Sequence, residues 1–125
     1  MKNMKPILQD GEFVFITTGS KDISRYTDLQ PLSIFKESEG LALIINREIA
    51  DTNNIGYTSV FKMITLSVYS SLESVGFLAA IFEKLAEEGI CVNPVSAFYH
   101  DHLFVPDDKA GTALRLLENI SSDYL

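Results

Sequence analysis

Apolar and β-branched residues fall in short runs punctuated by glycine, and this spacing predicts alternating strands and short helices. Phe13-Val-Phe-Ile-Thr-Thr18, bounded by Gly11 and Gly19, is strand chemistry with two faces apolar enough to be buried. From Gly19 to Gln30 the chain is polar and without periodicity, which predicts an exposed loop. A short helix is predicted from Pro31 to Gly40. Proline suits a first helical position, Leu32 and Phe35 share a helical face, and Gly40 offers a left-handed stop. Leu41-Ala-Leu-Ile-Ile-Asn46 then reads as a second buried strand. Arg47 to Asn54 allows a helical turn or two, and the turn chemistry of Asn53-Asn54-Ile55-Gly56 sets a boundary near Gly56. The expected units are 1–58 and 59–125.

The second half opens with Phe61 to Tyr69, where Ile64, Leu66 and Val68 alternate with Met63, Thr65, Ser67 and Tyr69 to give a strand with one strongly apolar face. After a loop from Ser70 to Ser74, Val75 to Glu88 predicts an amphipathic helix. Phe77, Leu78, Ile81, Phe82 and Leu85 form its stripe opposite Glu83, Lys84, Glu87 and Glu88, and Gly89 stops it. Ile90 to Phe98 and His102 to Val105 read as two strands joined around Tyr99-His100-Asp101, with Pro94 arguing for an edge or a bulge. Pro106-Asp-Asp108 caps a last helix, along which Ala110, Ala113, Leu114 and Leu117 keep helical spacing to about Ser121. The second half is therefore β-α-β-β-α. Ile34 to Leu41 and Ile81 to Ile90 share an order of helix, acidic residues, glycine and strand, which is read as a drifted duplication.

Composition narrows the function classes. The 125 residues carry a formal charge of −7, with Lys and Arg spread singly, so the footprint of phosphate-backbone binding is missing and no nucleic acid is expected as a partner. No apolar stretch approaches the ~18 residues of a membrane span, and no apolar core follows the N-terminal lysines, so a cytoplasmic protein without a membrane partner is expected. Cys91, in Gly89-Ile90-Cys91-Val92, is the single cysteine and reads as a buried thiol in a reducing compartment.

Residues 62–121 resemble an ACT domain, a ferredoxin-like βαββαβ unit. Glu73 stands at the family's acidic position, Val75-Gly76-Phe77-Leu78-Ala79 at its helix opening with Val in place of Pro, and Gly89-Ile90-Cys91-Val92 at its second-strand start with Cys in place of Asn. Through Asp10 to Phe15, Ser70 to Ala80 and Ser96 to Pro106, the whole chain is similar to tandem ACT-like bacterial proteins and to the regulatory half of aspartate kinases. The resemblance implies an α+β fold of two tandem ACT-like units with antiparallel sheets and helices on one face. It also implies a non-enzymatic sensor of an amino acid or similar small metabolite, without cofactor, acting as a homo-oligomer such as a dimer. After the helix ending near Ser121 too little chain is left for a complete unit's last strand. Either Phe13–Thr18 or a second subunit is expected to cover that edge.

The family's ligand region, where the first strand meets the first helix, corresponds to Ser70, Ser71, Leu72, Glu73, Gly76, Phe77 and Leu78, with Asn93 offering an amide from the next strand. A helix N-terminus there presents N–H groups to a carboxylate, while Ser70 to Glu73 equally fits a capping box with a structural role only. Gly76 permits close approach by a ligand or by a packed strand. His100-Asp101-His102 invites a metal reading, but two ligands fall short of the usual three or four, and no metal is expected. An enzyme using His100, His102 and Glu73 ranks last, since no base is placed beside a nucleophile and no Gly-x-Ser-x-Gly or phosphate loop occurs. Phe13, Phe15, Phe35, Phe77, Phe82, Phe98 and Phe104 are expected to fill cores. The reading that competes with a sensor is a ligand-free oligomerisation or protein-interaction module.

Overall fold

The computed structural model describes residues 5–66 and 75–123, with side chains described as far as Leu66 and from Leu78 to Ile120. The chain forms two compact units, a continuous one of Gly11–Phe61 and a discontinuous one of Met1–Asp10 with Lys62–Leu125.

In the continuous unit, β2 (Phe13–Thr17), β3 (Ser33–Glu37) and β4 (Gly40–Asn46) form an antiparallel sheet in the order β3-β4-β2. Strand alternation sends Val14, Leu41, Leu43 and Ile45 to one side, where they bury against Leu29 and Ala50. Ala50 belongs to α1 (Arg47–Thr52), which begins where Asn46 Oδ1 accepts from the Glu48 N–H at 2.8 Å. The expected loop 19–30 contains a 3-10 helix, Ile23–Leu29, capped by the Asp22 side chain and closed by Gln30 in the left-handed region. Its polar surface hid the single buried anchor, Leu29.

The predicted helix 31–40 is instead the outer arm of the β3-β4 hairpin, and the repeat aligned through Ile34–Leu41 does not hold as helix against helix. One i, i+3 apolar pair cannot nucleate so short a helix, whereas β4 satisfies the backbone of Ser33–Glu37 rung by rung. Gly40 has a different purpose from a helix stop. At φ +150° it passes so close to Thr18 that an added Cβ would lie 2.0 Å from the Thr18 carbonyl oxygen. Thr18 uses that proximity: its N–H donates to the Leu41 carbonyl at 3.0 Å, and its Oγ1 accepts from the Leu41 N–H at 3.1 Å.

In the discontinuous unit the strands are β1 (Pro6–Leu8), β5 (Phe61–Leu66), β6 (Asn93–Ser96) and β7 (Asp101–Pro106), in the order β1-β5-β7-β6. Helices α2 (Val75–Glu87) and α3 (Ala110–Asp123) cover one face, where Ile64, Leu66, Leu103 and Val105 meet Ile81, Leu85, Ala113 and Leu117. Gly89 ends α2 at φ +71°, as expected of its position, and Pro94 lies on the edge strand β6. The place of the missing last strand is taken by Pro6–Leu8, which pairs antiparallel with β5 in the register Pro6↔Leu66, Ile7↔Thr65, Leu8↔Ile64. The expectation that Phe13–Thr18 would do this is corrected: β2 pairs along its length with β4 and meets β5 at Phe13↔Phe61 alone. Each unit is thus ferredoxin-like, with the strand order of an α+β sandwich layered on one side.

Replacing Gly40 by Ala combines a positive φ with a backbone clash and should cost about 2 kcal/mol or more. Gly56→Ala, where nothing lies within 4 Å of the new Cβ, serves as the control. Urea unfolding midpoints of the two variants measure the difference.

Candidate functional site

The segment from strand β5 to helix α2 was expected to hold the ligand. Ser70, Ser71, Leu72 and Glu73 lie outside the described residues. Gly76, Phe77 and Leu78 fall in the first turn of α2, a 13-residue helix, and the half-buried Leu78 packs against the core of the discontinuous unit. Asn93, half-buried, opens β6 opposite Phe104 of β7. In the sheet β7 separates β6 from β5, so Asn93 and the start of α2 belong to one unit but to non-adjacent strands and their connections.

Two sequence expectations about side chains fail here. Cys91 is exposed rather than a buried thiol: Ile90 and Val92 pack on the core, and alternation turns the residue between them outward. The aromatic set is also split. Phe13 and Phe104 are buried, but Phe35 is 70% exposed on the edge strand β3 and Phe98 89% exposed in the β6-β7 turn, where its ring meets Tyr99 edge-on at 4.8 Å. Phe15, half-exposed, stacks edge-on against Phe61 at 5.0 Å. These residues sit on strands or turns whose second face was not visible in a linear pattern.

His100 and His102 approach with ring centroids 6.2 Å apart, and among the described residues no group of three or more His, Cys, Asp or Glu is placed to hold a metal. His102 is engaged otherwise. Its Nδ1 lies 3.0 Å from Thr65 Oγ1, which accepts from Gln9 Nε2 at 3.0 Å. Burial first, and the neighbouring His100 second, hold the imidazole below its ordinary value, with Asp101 opposing them. Sequence reading missed this chain because its members come from β7, β5 and the residue after β1. The one local signal was a threonine at a buried strand position.

The continuous unit carries a second polar group. Arg47 donates from Nη1 to Glu12 Oε1 at 3.0 Å and from Nε to the Tyr57 hydroxyl at 3.1 Å, and that hydroxyl donates to Asp51 Oδ1 at 2.7 Å. Tyr57 and then Glu12 raise the guanidinium above its ordinary value, so it stays charged at any working pH. The Arg47 N–H also donates to the Glu12 carbonyl at 2.9 Å. These bonds fasten α1 to the start of β2 and to Tyr57.

The fold defines the class: two ferredoxin-like α+β units in tandem. Models of the ACT domain match residues 1–62 and 58–119. The chain belongs to the ACT-domain family. It is 43% identical to a Vibrio cholerae protein of unknown function, described as a possible transport protein, with a TM-score of 0.86 over 93% of this chain and 88% of that one. The ligand-free regulatory subunit of aspartate kinase from Thermus thermophilus matches with a TM-score of 0.70 and 12% identity, covering 94% and 97% of the two chains. Aspartokinase alpha and beta subunits match with a TM-score of 0.65 and 17% identity, covering 91% and 95%. Among curated proteins none matches the sequence. Among the described residues no helix is long and apolar enough to cross a membrane.

Arg47→Ala should lower the urea midpoint of the continuous unit, and the loss should shrink in high salt because the Glu12 pair is partly exposed. Arg47→Lys should rescue only in part, since an ammonium cannot reproduce the fork. Unfolding at low and high ionic strength separates these outcomes.

Proposed function

We propose that this protein is a cytoplasmic, non-enzymatic sensor that binds an amino acid or a similar small metabolite through its discontinuous ACT unit and responds by changing its own or a partner's assembly. Membership of the ACT family, whose domains are typically ligand-binding regulatory modules, supports the class. The observation that carries the location is the 13-residue helix α2 following β5, since a helix of that length concentrates unsatisfied N–H groups and positive potential at its start. The first element in the same place of the continuous unit is a 3-10 helix, with far less of either. In this reading Ser70, Ser71, Leu72 and Glu73 shape the approach to the helix, and Gly76 leaves room for a carboxylate at its N–H groups. Phe77 and Leu78 supply the apolar wall and Asn93 an amide. The amino group of an amino acid suits Glu73.

A second reading, an assembly module without a ligand, is favoured by one specific feature. The sheet face of the continuous unit opposite its core shows Phe15 and Phe35, an apolar surface on an edge hairpin.

Thermal unfolding against the twenty amino acids and common nucleotides tests the first reading, because a ligand of the native state alone raises its apparent stability. At a ligand concentration a hundred times Kd the gain is about 2.7 kcal/mol. Gly76→Val should remove the ligand-dependent rise while leaving a cooperative transition, and an unchanged rise in that variant removes Gly76 from the site. A flat response at millimolar concentrations instead selects the assembly reading, in which Phe35→Ser should lower the molar mass seen in sedimentation equilibrium.

A further inference from the structure

The chain Gln9–Thr65–His102 has a direction that can be worked out atom by atom. A hydroxyl carries one proton. Thr65 Oγ1 accepts from Gln9 Nε2, and in the Nε2–H tautomer of the neutral imidazole His102 Nδ1 is the bare nitrogen that takes the Thr65 proton. Thr65 is only 5% exposed, which leaves water little access to replace a lost partner. Gln9 is also the last rung of the N-terminal strand, its N–H donating to the Met63 carbonyl at 2.9 Å. One residue therefore joins the polar chain to the pairing of β1 on β5.

An imidazolium has an N–H at Nδ1 as well as at Nε2. Thr65 Oγ1 must then accept from His102 as well as from Gln9, which fills both of its lone pairs and removes the nitrogen that accepted its own proton. Within the chain that buried proton regains an acceptor only if Gln9 turns its amide to present Oε1, so the Gln9 contact is the one given up. We propose that Gln9–Thr65–His102 is a proton-operated latch, in which neutral His102 holds the N-terminal strand on β5 and charged His102 loosens it.

The surroundings favour the neutral form in the native state. Among the described residues, the titratable groups beside His102 are His100 and Asp101 of its own hairpin. β1 and β6 carry none, Lys5 and Asp10 flank β1, and Lys62 of β5 alternates onto the helix-covered face. Because burial and His100 lower the folded value from 6.5, the unfolded or undocked state binds the proton more readily. The latch contributes its stability above pH 6.5, and that contribution is lost as pH falls from there through the folded value.

The test follows the His102 ring by NMR in the full chain together with hydrogen exchange of the Gln9 amide, corrected for the intrinsic pH dependence of exchange. Protection of that amide should fall several-fold as His102 gains its proton. His102→Asn places an acceptor near Nδ1 but takes no proton, so protection should persist and lose its pH dependence. Gln9→Glu offers acceptors only, which reverses the chain and should move the His102 titration upward, and Thr65→Val should shrink that displacement by cutting the connection. Protection that stays flat across the His102 titration overturns the latch. So does a pH dependence surviving in His102→Asn, or a Gln9→Glu displacement that Thr65→Val leaves intact.

Discussion

A β-strand in the middle of a sheet has to satisfy its backbone on both sides, and in this protein one side of β5 is satisfied by Pro6–Leu8, from the opposite end of the chain. The rungs are few. They nevertheless turn a β-α-β-β-α segment into a closed four-stranded ferredoxin-like unit, with Leu8 joining the core formed by Ile64, Leu66 and the two helices. The continuous unit lies in sequence between the strand and the unit it completes, so the pairing spans more than fifty residues and costs loop-closure entropy before it returns any contact. A latch at that pairing is well placed to report on the state of the whole unit.

The two units use one topology with unequal parts. Where the discontinuous unit has the long helix α2, the continuous unit has a 3-10 helix held by a single buried leucine, and where the former has α3 the latter has α1, six residues long. The charged cluster of Arg47, Glu12, Asp51 and Tyr57 adds fastening in the unit whose helices are short. This asymmetry matters for function. A long helix opening after the first strand is the element on which the sensor reading depends, and it belongs to one unit only. The other unit offers its apolar sheet face and edge hairpin, which suit assembly. The two proposed readings therefore rest on different units of the same chain.

Much of the fold was legible in linear pattern because the elements concerned bury one face by their own periodicity. Helix α2 is an example: Leu78, Ile81 and Leu85 recur at helical spacing and all reach the core. The β6-β7 hairpin and α3 were legible for the same reason. β3 was not. Ser33–Glu37 has a mixed composition, and its conformation is set by β4 alongside it and by the close pass of Gly40 over Thr18. The exposure of Cys91, Phe35 and Phe98 was misjudged because apolar character indicates the cost of exposure, not whether a covering layer exists. Of the candidate site, the region came from the family resemblance, which sets it where the first strand meets the first helix.

What the sequence by itself determined is the set of strongly periodic elements, the stops at Gly89 and the edge at Pro94, and through them the class of fold. All of these follow from interactions within a few residues. The tertiary structure alone decided that Pro6–Leu8 completes the second unit, that Gly40 is a crossing and not a helix end, and that Gln9, Thr65 and His102 touch. Each of these rests on backbone or polar groups brought together from distant positions, where partner and geometry depend on how the sheets have closed and no local spacing encodes them.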